Sequence, residues 1–354
     1  MEKMILRMPD YCSEFKCIAD KCQDNCCIGW EIDIDKKSEE YYLSCDGEFG
    51  DKLRSNIKKG EPGCFILGEK ERCPFLNEKN LCEIIINLGE DKLCHICSEH
   101  PRYYEWYNGV KEGGTGLCCE ESARIIISRD KPFSYIESET CDDSNEEYDE
   151  NLYKCLFSAR NKIINHLQNR GYTFFERIND VLMYAKNLQY QTDNGEYTVP
   201  DIIHSAEIRK TDIKKFLEFL CTLEMLDPNR EKYLRSCILL SDKTAETEEK
   251  FKNKYPETEL YLENVAVYFI WRHFLKGVFS EEFYSAVFFT ALSCDVIRFL
   301  SVCCYHEDGK FDITDFIRIA KDYSKETEYS EKNMSVLLDE AYNNNYFCYE
   351  ENKK

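Results

Sequence analysis

Residues 12–27 read Cys12-Ser13-Glu14-Phe15-Lys16-Cys17-Ile18-Ala19-Asp20-Lys21-Cys22-Gln23-Asp24-Asn25-Cys26-Cys27, five thiols in sixteen positions. A hydrophobic core has no use for such a density. Eight more cysteines follow before residue 120: Cys45, Cys64, Cys73, Cys82, Cys94, Cys97, Cys118 and Cys119. The first 120 residues are therefore read as organised around something these sulfurs hold, with the rest of the chain attached to it. What they hold depends on the compartment. Met1 to Arg7 carries both charge signs and no apolar run suited to a signal peptide. The longest apolar stretches, 265–279 and 283–304, are broken by Arg272, His273 and Lys276 and by Asp295 and Arg298, which disfavours a membrane span. A cytoplasmic location is expected. In a reducing compartment clustered thiols point to metal ligands or reactive groups rather than disulfides. The total of 21 cysteines is odd and includes the vicinal pairs Cys26-Cys27, Cys118-Cys119 and Cys303-Cys304, which also disfavour a bridged scaffold.

At 354 residues, with 43% hydrophobic and 14% aromatic content, the chain can bury a sizeable core and form two domains. A net charge of −21 argues against nucleic acid and anionic membrane surfaces as partners. The N-terminal region reads as short extended pieces and turns. Ser38–Leu43 is a short helix, and 61–88 is a knuckle-like hairpin in which Pro74 excludes a central strand and Leu81–Ile85 is extended. Residues 109–116, rich in glycine, read as a flexible turn, and Ala123–Ser128 as helical or extended. Residues 137–150 hold eight acids and no base, which predicts a solvated linker. Beyond it the pattern is helical. Leu152, Leu156, Ile163 and Leu167 share a face, Thr173 and Glu176 form a capping box, and Thr211 opens a helix that Asp227-Pro228 closes. Tyr261–Phe279 and Glu281–Cys304 form core helices, and two more lie near 314–323 and 331–342. The expected fold class is mainly α: a cysteine-rich metal-binding domain with short β pieces over 1–136, an acidic linker over 137–150, and an all-helical domain over 151–354.

Thiolates supply the charge and covalency that soft metals need, and spacings such as C-x-x-C let two ligands meet one metal without strain. The candidates fall in four groups: Cys17, Cys22, Cys26 and Cys27; Cys73 and Cys82; Cys94 and Cys97; and Cys119. The set as a whole points to metal. The order Cys17, Cys22, Cys26-Cys27, Trp30, then Cys73-Pro74-Phe75-Leu76, Leu81-Cys82 with Ile84, Leu88-Gly89-Glu90, Leu93-Cys94 with Cys97 and Pro101-Arg102, then Cys119 with Glu121 and Ala123-Arg124, resembles the flagellin lysine N-methylases of the FliB type. The N-terminal part of that family is a YkgJ-like zinc- or iron-chelating domain. The motifs cover roughly residues 9–127. The resemblance implies methyl transfer from S-adenosylmethionine to lysine ε-amines of flagellin, with a 4Fe–4S cluster required. This chain departs from the pattern at His100, where an aromatic residue commonly precedes Pro-Arg, at the extra Cys118, and at Glu120 in place of proline.

The same cysteines fit a zinc-stabilised knuckle without chemistry, which makes a non-enzymatic metal-binding interaction protein the alternative, with a redox or metal-transfer protein as a third reading. Outside the cysteines the pointers are weaker. Trp30 packs over a cluster or stacks on the donor's adenine. Arg102 pairs with a carboxylate or a cluster sulfide, or forms an ordinary salt bridge. Glu31, Asp33 and Asp35 alternate with Ile32 and Ile34, giving a wet strand face whose carboxylates could receive a lysine. His95 lies inside the C-x-x-C and reads as solvated before it reads as a ligand. No glycine-rich nucleotide turn is legible, because Cys119 stands where Gly114-Thr115-Gly116 would need a third glycine. A C-x3-C-x2-C spacing is also absent, because Gly29 follows Cys22 and Cys26 at the third place. None of the 24 tyrosines is singled out as a catalytic group.

Overall fold

A computed structural model describes residues 2–107, 109–142, 147–205, 208–227, 229–241, 244–343 and 346–350. Its first strand, β1 (Glu2–Pro9), is an interior strand of a four-stranded sheet. Three further strands, β2 (Asp33–Ile34), β3 (Ile57–Lys58) and β4 (Gly63–Phe65), make a small separate sheet in the order β2-β4-β3. The larger sheet is completed by β5 (Arg102–Tyr107), β6 (Val110–Thr115) and β7 (Tyr135–Asp142) in the order β5-β6-β1-β7. β1 runs parallel to β6, with Arg7 opposite Glu112, and antiparallel to β7 along its whole length, from Glu2–Asp142 to Pro9–Tyr135. The sequence hid β1 because its inward positions include a charged residue. Buried Arg7 donates to Glu112 at 2.6 Å and to Glu137 at 2.8 Å.

Two expectations are corrected by this sheet. The glycine-rich stretch 109–116 is not a flexible turn but contains β6. Glycine is needed there because neighbours crowd the strand: a Cβ on Gly113 would lie 2.6 Å from the Met8 sulfur, and one on Gly114 2.4 Å from the Tyr103 hydroxyl. The acidic run 137–150 is likewise not a linker throughout. Its first part is edge strand β7, where Glu137 holds Arg7 and Asp142 accepts from Lys111 Nζ at 2.8 Å and Trp106 Nε1 at 3.0 Å. Charges on an edge strand also block pairing with other chains. At its far end Asp149 caps the next helix. Asp143 and Glu146 lie outside the described residues.

The helices are α1 (Lys36–Ser44), α2 (Gly47–Ser55), α3 (Glu83–Leu88), α4 (His95–Glu99) and α5 (Glu120–Ile127) in the N-terminal region. Those that follow are α6 (Glu150–Leu167), α7 (Phe174–Asp193), α8 (Ile213–Leu220), α9 (Arg230–Leu240), α10 (Ala245–Lys254), α11 (Thr258–His273), α12 (Gly277–Ser280), α13 (Tyr284–Asp308), α14 (Ile313–Glu328) and α15 (Glu331–Asn343). The mainly helical class with short β pieces is as expected. The C-terminal half adds one ribbon, β8 (Ile208–Thr211) antiparallel to β9 (Phe347–Glu350). The capping box at Thr173 is present, and the helix expected after Thr211 is capped one residue later by Asp212. Pro228 lies outside the described residues. Leu81–Ile85, expected as extended, turns helical at Glu83 with Cys82 at the N-cap. α13 is apolar all round because it is the central helix: 94% of its most apolar stretch is buried within the fold.

Two hydrophobic cores result. The larger joins α5 to α14 with Tyr11, Tyr107 and Leu117, so the strands of the larger sheet belong with the helices. The smaller unites Ile32, Ile34, Tyr42, Leu53, Ile57, Phe65, Phe75, Leu76 and Ile84 with Cys73 and Cys94. The smaller core lies within the cysteine knuckle, between about residue 16 and residue 100, and the larger lies in the body that the long helices form with the larger sheet.

Candidate metal centre

Main-chain hydrogen bonds join two of the knuckle's three cysteine-bearing turns and close the third. Cys73 N donates to Cys27 O at 2.8 Å. Leu76 pairs with Cys82 in an isolated bridge, and Glu83 N donates to Phe75 O at 2.8 Å. Cys94 is the N-cap of α4, and Cys97 N reaches back to Cys94 O at 3.0 Å. Asp35 holds this assembly to the small sheet, because its carboxylate accepts from Ser38 N, capping α1, and from His95 N at 2.8 Å.

Six thiols share one neighbourhood. Cys27 feels the charges of Cys73 and Cys82, Cys97 those of Cys27 and Cys73, and Cys73 those of Cys82, Cys94 and Cys26. Two hydrogen-bonded pairs stand within it. Cys27 donates to Cys26, so the Cys26 thiol is lowered and Cys27 raised; Cys94 is lowered and Cys97 raised in the same way. Each pair therefore loses one proton readily and holds the other. Cys17, Cys22 and Cys119 form a second, adjoining set. Cys119, N-cap of α5, feels Cys26 and Cys17 and is pushed up to about 11 by burial, and Cys22 is pushed up to about 12 by burial and by Glu120. The nine predicted ligands thus fall into two sets that meet at Cys26.

Among the described residues no three or more His, Cys, Asp or Glu side chains stand at ligating positions around a common point. The donor chemistry nonetheless fits a thiolate-bound metal. All six members of the main set are soft sulfur donors, and they issue from hydrogen-bonded turns. His100 hydrogen-bonds Cys26, a contact that the sequence showed only as a departure before Pro101. His95 is exposed, with its backbone rather than its ring engaged.

The weaker candidates separate. Asp33 is exposed, and Asp35 is committed to backbone amides. Arg102 begins β5 and lies over the Phe15 ring, 5.5 Å from its centroid. Trp30 faces the helical body: its ring meets Tyr329 edge-on at 5.4 Å, and the Lys325 ammonium lies 5.6 Å from its centroid. The cysteine loop is latched there. Asp24 pairs with Lys321 at 2.8 Å and Lys325 at 3.1 Å, and Glu120 accepts from Gln23 N at 2.8 Å and Asp24 N at 3.3 Å. Glu120, the first residue of α5, ties the loop to that helix.

Behind this latch lies a polar seam that no motif announced. Arg272 Nη1 donates to Tyr268 Oη at 2.6 Å and Tyr329 Oη at 3.3 Å, and its guanidinium lies 4.4 Å from the Tyr103 centroid. Glu328 takes the Nε side at 3.4 Å, and also accepts from Tyr268 and Ser324 and contacts His273 Nε2 at 2.6 Å. Tyr268 in turn accepts from Leu117 N at 3.1 Å, next to Cys118. A Cβ on Gly116 would sit 1.9 Å from Tyr329 Oη, so only glycine admits that hydroxyl. Burial pushes His273 down to about 4, while Arg272 holds Glu328 below the usual carboxylate range against its own burial. The signal that could have found the seam was Arg272-His273 interrupting an otherwise apolar helix.

The profile of the FliB lysine N-methylase C-terminal domain matches residues 160–351. Over 135 residues the chain is 30% identical to the flagellar biosynthetic protein FliU of Salmonella muenchen, a stretch covering 36% of this chain and 80% of that protein. It is 29% identical over 135 residues to the lysine-N-methylase of Salmonella typhimurium, covering 36% of this chain and 34% of that protein. The same figures hold for the lysine-N-methylase of Salmonella choleraesuis. The match thus spans about a third of the length of these curated lysine-N-methylases. No solved structure matches the chain.

Proposed function

The chain belongs to the FliB lysine N-methylase family, and from that premise we propose that it is a cytoplasmic protein lysine N-methyltransferase. It would move methyl groups from S-adenosylmethionine to lysine ε-amines of flagellin and carry a 4Fe–4S cluster on its knuckle. The observation that supports the cluster is the gathering of six thiols on hydrogen-bonded turns. Four of Cys26, Cys27, Cys73, Cys82, Cys94 and Cys97 would hold it, with Cys17, Cys22 and Cys119 beside them. When bound, such a cluster supplies a Lewis-acidic iron and a rigid anchor for the knuckle.

The chain's own part is to bind, orient and dehydrate. Methyl transfer joins the methyl carbon to an uncharged lysine nitrogen as the carbon–sulfur bond of the sulfonium breaks, so the donor leaves as a neutral thioether. The acceptor must first lose a proton, and the two reactants must be held in line. The latch of Asp24 with Lys321 and Lys325 fixes the thiol loop against α14, which sets the knuckle and the helical body in one register. The acidic surface, with a net charge of −21, favours a lysine-bearing protein over nucleic acid.

Anaerobically purified protein is expected to be brown and to methylate lysines of cognate flagellin with S-adenosylmethionine. Cys26→Ser or Cys97→Ser should lower bound metal and stability together. Wild-type protein with intact metal that leaves flagellin unmodified would remove the enzyme reading. Colourless protein with stoichiometric zinc and no methyl transfer would instead establish a metal-binding interaction protein.

A further inference from the structure

An open recess of about 270 Å3 lies between α9 and α14, walled by Leu220, Leu223, Met225, Leu234 and Tyr323. Arg230, the first residue of α9, lines it too and keeps only 8% of its surface exposed. Among the described residues its guanidinium has no hydrogen-bond acceptor and no carboxylate at ion-pair distance; it lies beside the Tyr233 ring, 5.7 Å from the centroid. Arg7, Arg160 and Arg177 are as deeply buried, and each grips a carboxylate at 2.6 Å. The acids near Arg230 are engaged elsewhere. Glu326 accepts from Leu226 N at 2.7 Å and Asp227 N at 2.9 Å, Asp227 accepts from Asn229 N at 2.9 Å, and Glu231 pairs with Arg235 at 2.6 Å. A buried guanidinium without an acceptor is costly, and it is the group that an entering anion satisfies.

We propose that this recess is a binding site for a small organic monocarboxylate, whose carboxylate pairs with Arg230 and whose apolar chain lies against Leu223, Met225 and Leu234. The assignment stands apart from the methyltransferase reading above. A guanidinium fork matches a carboxylate with two parallel hydrogen bonds, and apolar walls around one fixed polar group are the usual make-up of a small-molecule site. The charge of the ligand is set by what else lines the recess. Glu224 and Glu326 stand there as well, so a dianion such as phosphate meets a repulsion that a single charge neutralised on Arg230 largely escapes. The apolar walls likewise favour a ligand with a hydrocarbon body over a bare inorganic anion. An occupant would join the start of α9 to α14. On α14 the recess residues Tyr323, Glu326 and Thr327 lie on the side opposite Lys321 and Lys325, which hold Asp24 of the cysteine loop, so the site is separate from the metal centre.

The test uses the full chain, metal-loaded, titrated calorimetrically with pentanoate, with its uncharged isostere pentanamide, and with inorganic phosphate at matched ionic strength. Pentanoate is expected to saturate one site and to slow hydrogen exchange in α9. Pentanamide, which lacks the charge, should bind about tenfold more weakly or worse. Arg230→Gln should weaken pentanoate by a similar factor, leave pentanamide unchanged, and abolish the slowing of exchange in α9. Equal affinity for pentanoate and pentanamide overturns the assignment, as does equal affinity of wild type and Arg230→Gln for pentanoate, or no saturable binding of pentanoate at all. Phosphate binding as tightly as pentanoate overturns the ligand class. If Arg230→Gln does not fold, the comparison of acid with amide on the wild-type protein still decides.

Discussion

Glu112 shows how single residues hold this molecule together. It lies on β6, almost fully buried, between Arg7 of β1 and Arg160 of α6, with Arg160 Nη1 and Nη2 at 2.6 and 2.8 Å. The Arg160 guanidinium also lies 4.2 Å from the Trp271 centroid. Burial would raise this carboxyl, but the two arginines hold it below its usual range. Its stabilising contribution is therefore present above the ordinary carboxylate range and is lost only in strong acid. His273 acts at milder pH. It is neutral in the fold because burial pushes it down to about 4, whereas in the unfolded chain it takes up a proton near 6.5. Between those values the unfolded state binds more protons, so stability falls as pH drops from about 6.5 towards 4, by up to about 1.4 kcal/mol per pH unit. Urea midpoints across this range should show that slope, and His273→Gln should flatten it. An equal slope in the variant would assign the titration elsewhere.

At the scale of elements, α13 carries the body's packing. Leu300 is fully buried on it, and Leu300→Ala should lower stability by about 2–5 kcal/mol, read as a lower denaturant midpoint at unchanged slope. A loss below about 0.5 kcal/mol, typical of surface sites, would contradict its central place. Helices such as α6, α7 and α13 were legible because long, periodic apolar faces and caps are local signals. β1 was not, since Arg7 breaks its alternation and its partners lie more than a hundred residues onward. β6 was misread because its glycines answer to Met8, more than a hundred residues away in sequence, as well as to Tyr103 and Tyr104 across the hairpin. The crowding of thiols was legible from spacing, and the fold gathers six of them in one neighbourhood. The seam was not, because Tyr268 and Arg272 on α11 meet Glu328 and Tyr329 only after α13 and α14 have packed.

For the whole molecule, the separateness of the two cores predicts how it comes apart. The knuckle's core is small and includes Cys73 and Cys94, whereas the body's core contains none of the nine predicted ligands. Metal binding free energy is folding free energy where ligands and core coincide. Chelation should therefore raise hydrogen exchange first in residues 26–99, leaving α6, α7, α11 and α13 protected. Uniform exchange across the chain would show that the cores unfold as one.

The way β1 enters the sheet has a last consequence. The chain leaves β1 at Pro9 and returns at Arg102, the first residue of β5. Because β1 and β6 run parallel and Arg102 pairs with Thr115, both points lie at the same end of the sheet. They are two strands apart, about 10 Å. The thiol-bearing lobe is thus an insertion whose two stems stand side by side, of the kind that evolution can lengthen, exchange or remove without rethreading the host. What reads along the sequence as a leading domain is, in space, a cartridge plugged into a scaffold that closes behind it.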